Sequence, residues 1–98
     1  MMYIKVRESE SNIVVAACDS EILGQRFSEG ELHLNVKEDF YKGELENLKD
    51  LGKFLSKATI ANLSGNKVVD KAIDLGFVDV DCVLEISGVK HAQIISMC

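Results

Sequence analysis

Ser64-Gly65-Asn66-Lys67-Val68-Val69-Asp70-Lys71-Ala72-Ile73-Asp74-Leu75-Gly76 carries the clearest helical pattern in the chain. Val68, Val69, Ala72, Ile73 and Leu75 recur at helical spacing, while Lys67, Asp70, Lys71 and Asp74 fall on the other side, so the segment is predicted to be an amphipathic helix. Ser64 is the expected N-cap and Gly76 the expected stop. A helix with one apolar face needs a second layer to bury it, and the flanking sequence supplies strands.

Downstream, Cys82-Val83-Leu84-Glu85-Ile86 and Val89-Lys90-His91-Ala92-Gln93-Ile94-Ile95 flank Ser87-Gly88, a spacing suited to a two-residue hairpin turn. Upstream, Met2, Ile4 and Val6 alternate with Tyr3, Lys5 and Arg7 as in a strand with one buried face. After the polar turn Glu8–Asn12, Ile13-Val14-Val15-Ala16-Ala17-Cys18 is apolar on both pleat faces and reads as a central strand paired with the first. Asp19 or Ser20 is expected to cap a short helical turn through Glu21-Ile22-Leu23. Leu32, Leu34 and Val36 are expected to form a third strand whose polar face carries His33, read as an ordinary solvated histidine. Phe40 and Tyr41 are expected to cover a core edge. Leu45, Leu48, Leu51 and Leu55 then set a helical stripe from Glu44 to about Ser56, with Gly52 inside it. The expected architecture is a single α+β domain over residues 1–98: a small, largely antiparallel sheet, two main helices packed on it, and a C-terminal β-hairpin.

Composition excludes several classes of function. The net charge of −5 concentrates in residues 19–56, which carry nine acids and five bases, so long-range attraction to a polyanion and non-specific nucleic-acid binding are not expected. No apolar run is long enough to span a bilayer and the amino terminus lacks the apolar stretch of a signal peptide, so a soluble cytoplasmic protein without membrane contact is expected. Cys18, Cys82 and Cys98 stand far apart with no CxxC pair, which points to reduced thiols and to neither a metal site nor a cofactor. Cys18 is expected to pack as a small hydrophobe. Asp79 and Asp81 are read as solvated turn residues.

Two places resist a purely structural reading. Asn62, Ser64, Gly65, Asn66 and Lys67 set amides and a helix start among small apolar residues, and His91 and Gln93 interrupt the last strand on one face with Val89 and Ile95. A buried amide or imidazole costs free energy unless it is hydrogen-bonded, so these groups are either satisfied core polars or a binding surface. The free N–H groups and positive dipole of the Ser64–Lys67 helix start would suit an anion, although the glycines and Gly-Lys-Ser/Thr ending of a P-loop are absent. Ser64 as an ordinary cap is the competing reading. For His91 the sequence supplies no nucleophile or orienting carboxylate, and a structural histidine bonded to a carbonyl or to Asn62 competes with a functional one.

The chain also resembles, over nearly its whole length, the archaeal family catalogued as domain of unknown function 424. The resemblance rests on Val14-Val15-Ala16, Phe27-Ser28-Glu29-Gly30-Glu31-Leu32, Phe40-Tyr41-Lys42-Gly43, Ala58-Thr59-Ile60-Ala61-Asn62-Leu63-Ser64-Gly65, Ala72 to Val78, and Gly88-Val89-Lys90-His91-Ala92-Gln93. It implies a small archaeal cytoplasmic protein with no established activity and a suspected connection with translation.

Taken together these readings favour a non-enzymatic binding module that uses Asn62–Asn66 and the His91/Gln93 hairpin to recognise a translation-associated partner, either protein or structured RNA. The alternative is a small-ligand or anion-binding protein, or a minor enzyme, built on the Ser64–Lys67 helix start and His91. A homodimer formed through an exposed strand edge is a third reading.

Overall fold

The computed structural model describes residues 1–95, and Cys98 lies outside them. Eight strands and three short α-helices follow in chain order: β1 (Met2–Glu8), β2 (Ile13–Asp19), β3 (Arg26–Glu29), β4 (Leu32–Asn35), α1 (Glu38–Tyr41), β5 (Glu44–Glu46), α2 (Leu51–Leu55), β6 (Ile60–Ser64), α3 (Asn66–Asp74), β7 (Leu84–Ile86) and β8 (Val89–Ile95). Six strands form one sheet in the order β5-β1-β2-β6-β8-β7, and β3 and β4 form a separate hairpin. The α+β class stands. The sheet is mixed, because the central pair β2 and β6 runs parallel, Val14 opposite Ile60 through Cys18 opposite Ser64, while the other pairings are antiparallel.

The alternation of side chains divides the sheet into two differently covered faces. Ile4, Ala17, Leu63 and Ala92 lie in one cross-strand row, and Val6, Val15, Ala61 and Ile94 in the next. Against these pack Leu51 and Leu55 of α2 and Val68, Val69 and Ala72 of α3, forming the main core. The opposite face buries Ala16 and Cys18 under Leu34, Val36 and Tyr41. β2 is thus covered on both sides, as its unbroken apolar run required. Cys18 packs as expected, and burial together with the neighbouring Asp19 charge pushes its thiol up to about 12.

The expected helix from Glu44 to about Ser56 is replaced by three shorter elements. Leu45, Leu48, Leu51 and Leu55 are not one helical stripe: Glu44–Glu46 is an edge strand beside β1 with Leu45 exposed, Leu48–Asp50 is a 3-10 turn, and only Leu51–Leu55 is α-helical. The Glu-Leu-Glu alternation satisfies a strand period as well as a helical one, and the available edge of β1 selects it. Gly52 lies where a Cβ would come 3.2 Å from Leu75 Cδ1, so its place in α2 follows from close packing against the end of α3. Phe40 and Tyr41 do cover a core edge, ring centroids 5.0 Å apart and 80° between planes, with the Arg7 guanidinium 4.9 Å over Phe40. The closing hairpin turns at Ser87-Gly88 as predicted, with Ser87 at φ 50° and Gly88 at φ 80°, both in the left-handed region that a tight two-residue turn requires, but its first strand is only Leu84–Ile86, and Cys82 belongs to a 3-10 turn, Val80–Cys82.

Candidate functional site

The expected site residues fall into three groups. Gly65, Asn66 and Lys67 form the joint at which β6 turns into α3. Helix α3 begins at Asn66, so Ser64 is not its N-cap: Gly65 stands at that position with φ 110°, and Ser64 belongs to β6. The cap oxygens come from Asp19, at the end of β2. Its carboxylate accepts from Lys67 N–H at 3.0 Å and from Val68 N–H at 2.8 Å. A Cβ on Gly65 would lie 2.6 Å from Asp19 Oδ1, so glycine is needed both for the backbone angle and for the space the carboxylate fills. Burial raises the Asp19 carboxyl, and the two amide hydrogen bonds pull it back down.

This cap corrects the reading of the helix start as an anion site. The amides at Lys67 and Val68 already hold a carboxylate, and Lys67 Nζ lies 2.7 Å from Glu21 Oε1. That contact holds Glu21 down at about 2 and raises Lys67. Asn66 is equally committed, donating from Nδ2 to Gly88 O at 3.0 Å and accepting at Oδ1 from Lys90 N–H at 2.9 Å. It ties α3 to the closing hairpin.

Ser64 and His91 form the second group. They are cross-strand neighbours between β6 and β8 on the face away from the helices. Gly65 N–H donates to Lys90 O, so Gly65 and Lys90 are a hydrogen-bonded pair and the next pair, Ser64 and His91, is of the close, non-hydrogen-bonded type. Ser64 Oγ lies 2.9 Å from His91 Nδ1 and 2.9 Å from Tyr41 Oη. Tyr41, on α1, is a residue the sequence marked only as packing.

The polarity of this chain follows from counting protons. Ser64 Oγ carries one proton and sits between two neighbours. If it donated to Tyr41, the tyrosine's own proton would be buried with no acceptor among the described residues. Tyr41 Oη, Ser64 Oγ and His91 Nδ1 are all satisfied when Tyr41 donates to Ser64 and Ser64 donates to His91 Nδ1. The neutral imidazole then carries its proton on Nε2. Charging His91 would place a second proton on Nδ1 and reverse the chain, which opposes protonation; burial also lowers the His91 pKa, while the Leu63 carbonyl acts the other way. Burial likewise pushes the Tyr41 phenol up, against the Ser64 hydrogen bond.

This arrangement suits recognition better than covalent chemistry. Ser64 is fully buried, out of reach of a substrate, and Nε2 of the satisfied tautomer is a donor and not a base. His91 bonds to Ser64 and not to Asn62, the partner considered from sequence.

Asn62 and Gln93 are the third group, one row further along the same face. Gln93 Nε2 donates to Asn62 Oδ1 at 2.9 Å, and the remaining amide groups have no partner among the described residues. Across the sheet this row reads Lys5, Ala16, Asn62, Gln93, and the next reads Arg7, Val14, Ile60, Ile95. Neither row contains a carboxylate. Ile95 is 67% exposed, and α1 lies over β1 and β2, where Lys5 Nζ and Arg7 donate to the carbonyls of Asp39 and Phe40. Gln93 and Ile95 are exposed at this end of the face, where the two amides lie between the Ser64–His91 row and the Ile60–Ile95 row. His33 is also placed as expected, exposed on β4 with Nδ1 2.9 Å from Ser28 Oγ. No group of histidine, cysteine and carboxylate side chains among the described residues is arranged to hold a metal ion, and no described helix is long and apolar enough to cross a membrane.

No curated protein matches the sequence. A crystal structure of an uncharacterized conserved protein from Methanopyrus kandleri superposes with a TM-score of 0.79 over 99% of this chain and 94% of that one, at 22% identity. At that identity the likeness establishes the fold. The sequence pattern of the family described as "Protein of unknown function (DUF424)" matches residues 7–97, and the chain belongs to that family.

Proposed function

We propose that the chain is a non-enzymatic binding module of the cytoplasm, whose open sheet face, Asn62 and Gln93 with His91 beside them, recognises a translation-associated partner. The observation that carries this reading is the Asn62–Gln93 pair. Two adjacent amides that, among the described residues, bond only to each other leave a donor on Asn62 and an acceptor on Gln93 available, in a row without carboxylates, with Ile60 and Ile95 alongside. Such a surface matches the mixed donor and acceptor edge of an unpaired base or of a peptide group, and the isoleucines supply an apolar contact. His91 Nε2 adds a second donor of fixed polarity.

The partner is a structured RNA or a protein. With a net charge of −5, affinity for RNA must come from local hydrogen bonds and packing, so its salt dependence is expected to be shallow. The test is affinity capture from native-host lysate with the wild-type chain and with Asn62→Ala/Gln93→Ala, each with and without ribonuclease. A partner lost from the variant supports the face; its loss on ribonuclease treatment identifies RNA, and its persistence identifies protein. Equal capture by both chains refutes the proposal.

A further inference from the structure

On its outer side β1 pairs with β5 only over Met2–Ile4. The chain enters β5 through Gly43, packed so closely on β1 that a Cβ there would lie 2.9 Å from Lys5 Cα. Past this crossing no described strand pairs with Val6, Arg7 and Glu8 on that side, which leaves main-chain donors and acceptors facing outward. Next to this edge, on the helix side of the sheet, lies a cavity of about 250 Å³ floored by Val6, Ile13, Val15 and Phe54 and rimmed by Lys53 and Lys57, with Glu8 at its end. Val6 is 42% exposed there.

The charges around the edge are unpaired. Neither Lys53 nor Lys57 joins an ion pair among the described residues; Lys53 Nζ instead lies 5.8 Å from the Phe54 ring. On the other side of the strand Lys5 and Arg7 donate to neutral main-chain carbonyls, so their charge is not neutralised either. A free strand end, an apolar cavity under it and cations on both sides therefore coincide on an acidic chain.

We propose that the Val6–Glu8 edge receives an extended segment of a partner protein, added to the sheet as a strand beside β1. An apolar side chain of that segment enters the cavity over Val6 and Phe54. Its acidic side chains face Lys53 and Lys57 on one side and Lys5 and Arg7 on the other. Main-chain hydrogen bonds supply affinity in this mode, and alternate side chains supply specificity. A second copy of this chain is a poor occupant, because antiparallel pairing of two β1 edges about Val6 would set Lys5 of one copy opposite Arg7 of the other. The cavity lies on the opposite face from Asn62 and Gln93, and the edge does not depend on their role.

The test pans a displayed random-peptide library against the full chain. Enrichment of alternating acidic and apolar residues is expected, with the enriched synthetic peptide slowing amide hydrogen exchange at the β1 edge. Lys53→Glu/Lys57→Glu, a change of two exposed lysines that leaves the core intact, should weaken that peptide by about tenfold or more, since two attractions become repulsions. Asn62→Ala/Gln93→Ala should leave it unchanged. No enrichment, enrichment of basic peptides, binding indifferent to the lysine reversal, or binding without protection of the edge would each overturn the proposal. So would a dimer in sedimentation velocity that Phe54→Asp abolishes, because it would assign the groove to a second copy.

Discussion

Replacing Ser64 by alanine tests the Tyr41–Ser64–His91 chain in a way that few other changes do. The side chain is fully buried and alanine nearly matches it in volume, so the cavity term is small and the effect reports hydrogen bonding. Tyr41 Oη, on a residue 3% exposed, loses its acceptor, and stranding a buried hydroxyl costs about 1–3 kcal/mol. His91 Nδ1 loses its donor, but the ring is only half-buried and that part is about 0.5–1 kcal/mol. The sum is about 1.5–4 kcal/mol, and at ~4–8 °C per kcal/mol for a domain of this size the thermal midpoint should fall by at least about 6 °C. Tyr41→Phe removes the donor that starts the chain yet leaves the Ser64–His91 bond intact, so it should cost only about 1 kcal/mol. In the double variant no hydroxyl is stranded. The two losses should therefore fall short of additivity by about 1–2 kcal/mol, well beyond the ~0.5 kcal/mol scatter of independent sites. Urea and thermal denaturation of the four proteins measure this cycle. Additive losses, or a Ser64→Ala cost below about 0.5 kcal/mol, would refute the assigned polarity and the tautomer of His91 with it.

Other consequences are as direct. Gly65→Ala should cost about 3 kcal/mol or more in denaturant unfolding, because it combines an unfavourable backbone angle with a side chain placed in the Asp19 carboxylate. Asp19→Ala should lose about 1–2 kcal/mol by uncapping α3, and Asp19→Asn distinctly less, since one amide bond can survive. The lowered His91 pKa makes the folded state bind a proton more weakly than the unfolded chain; this contribution is whole above the ordinary histidine pKa near 6.5 and is lost as pH falls below it. Thermal midpoints should accordingly drop between neutral and mildly acidic pH, and His91→Gln should flatten that dependence. Asn62→Ala/Gln93→Ala should change stability by no more than about 0.5 kcal/mol, because the pair lies on the open face; a larger calorimetric loss would make it part of the core.

What could be read from the sequence tracks how local each interaction is. The hairpin of β7 and β8 and the register of β1 with β2 follow from alternation and turn chemistry, and α3 from its apolar stripe. The strand β6 was hidden, since Asn62 and Ser64 break its apolar run and its parallel partner β2 is 46 residues away in sequence. Ser64 has the side chain of an N-cap and stands one position too early, while the true capping oxygens arrive from Asp19, 49 residues from Val68. No local pattern reveals such a cap. The sequence did single out Asn62, Ser64, His91 and Gln93 as polar groups needing an explanation, and they do lie in adjacent rows of one face. Tyr41 was missed as the chain's first donor because an aromatic beside Phe40 already has a sufficient role in packing.

Photocrosslinking in native-host lysate shows whether the open face around Gln93 is the binding surface. A benzophenone amino acid replaces Ile95, 67% exposed on that face, or Leu75, 43% exposed beside the helices. A discrete crosslinked species from position 95, absent from position 75 and lost with Asn62→Ala/Gln93→Ala, is the expected result. No adduct at position 95, or the same adduct from both positions, would contradict it.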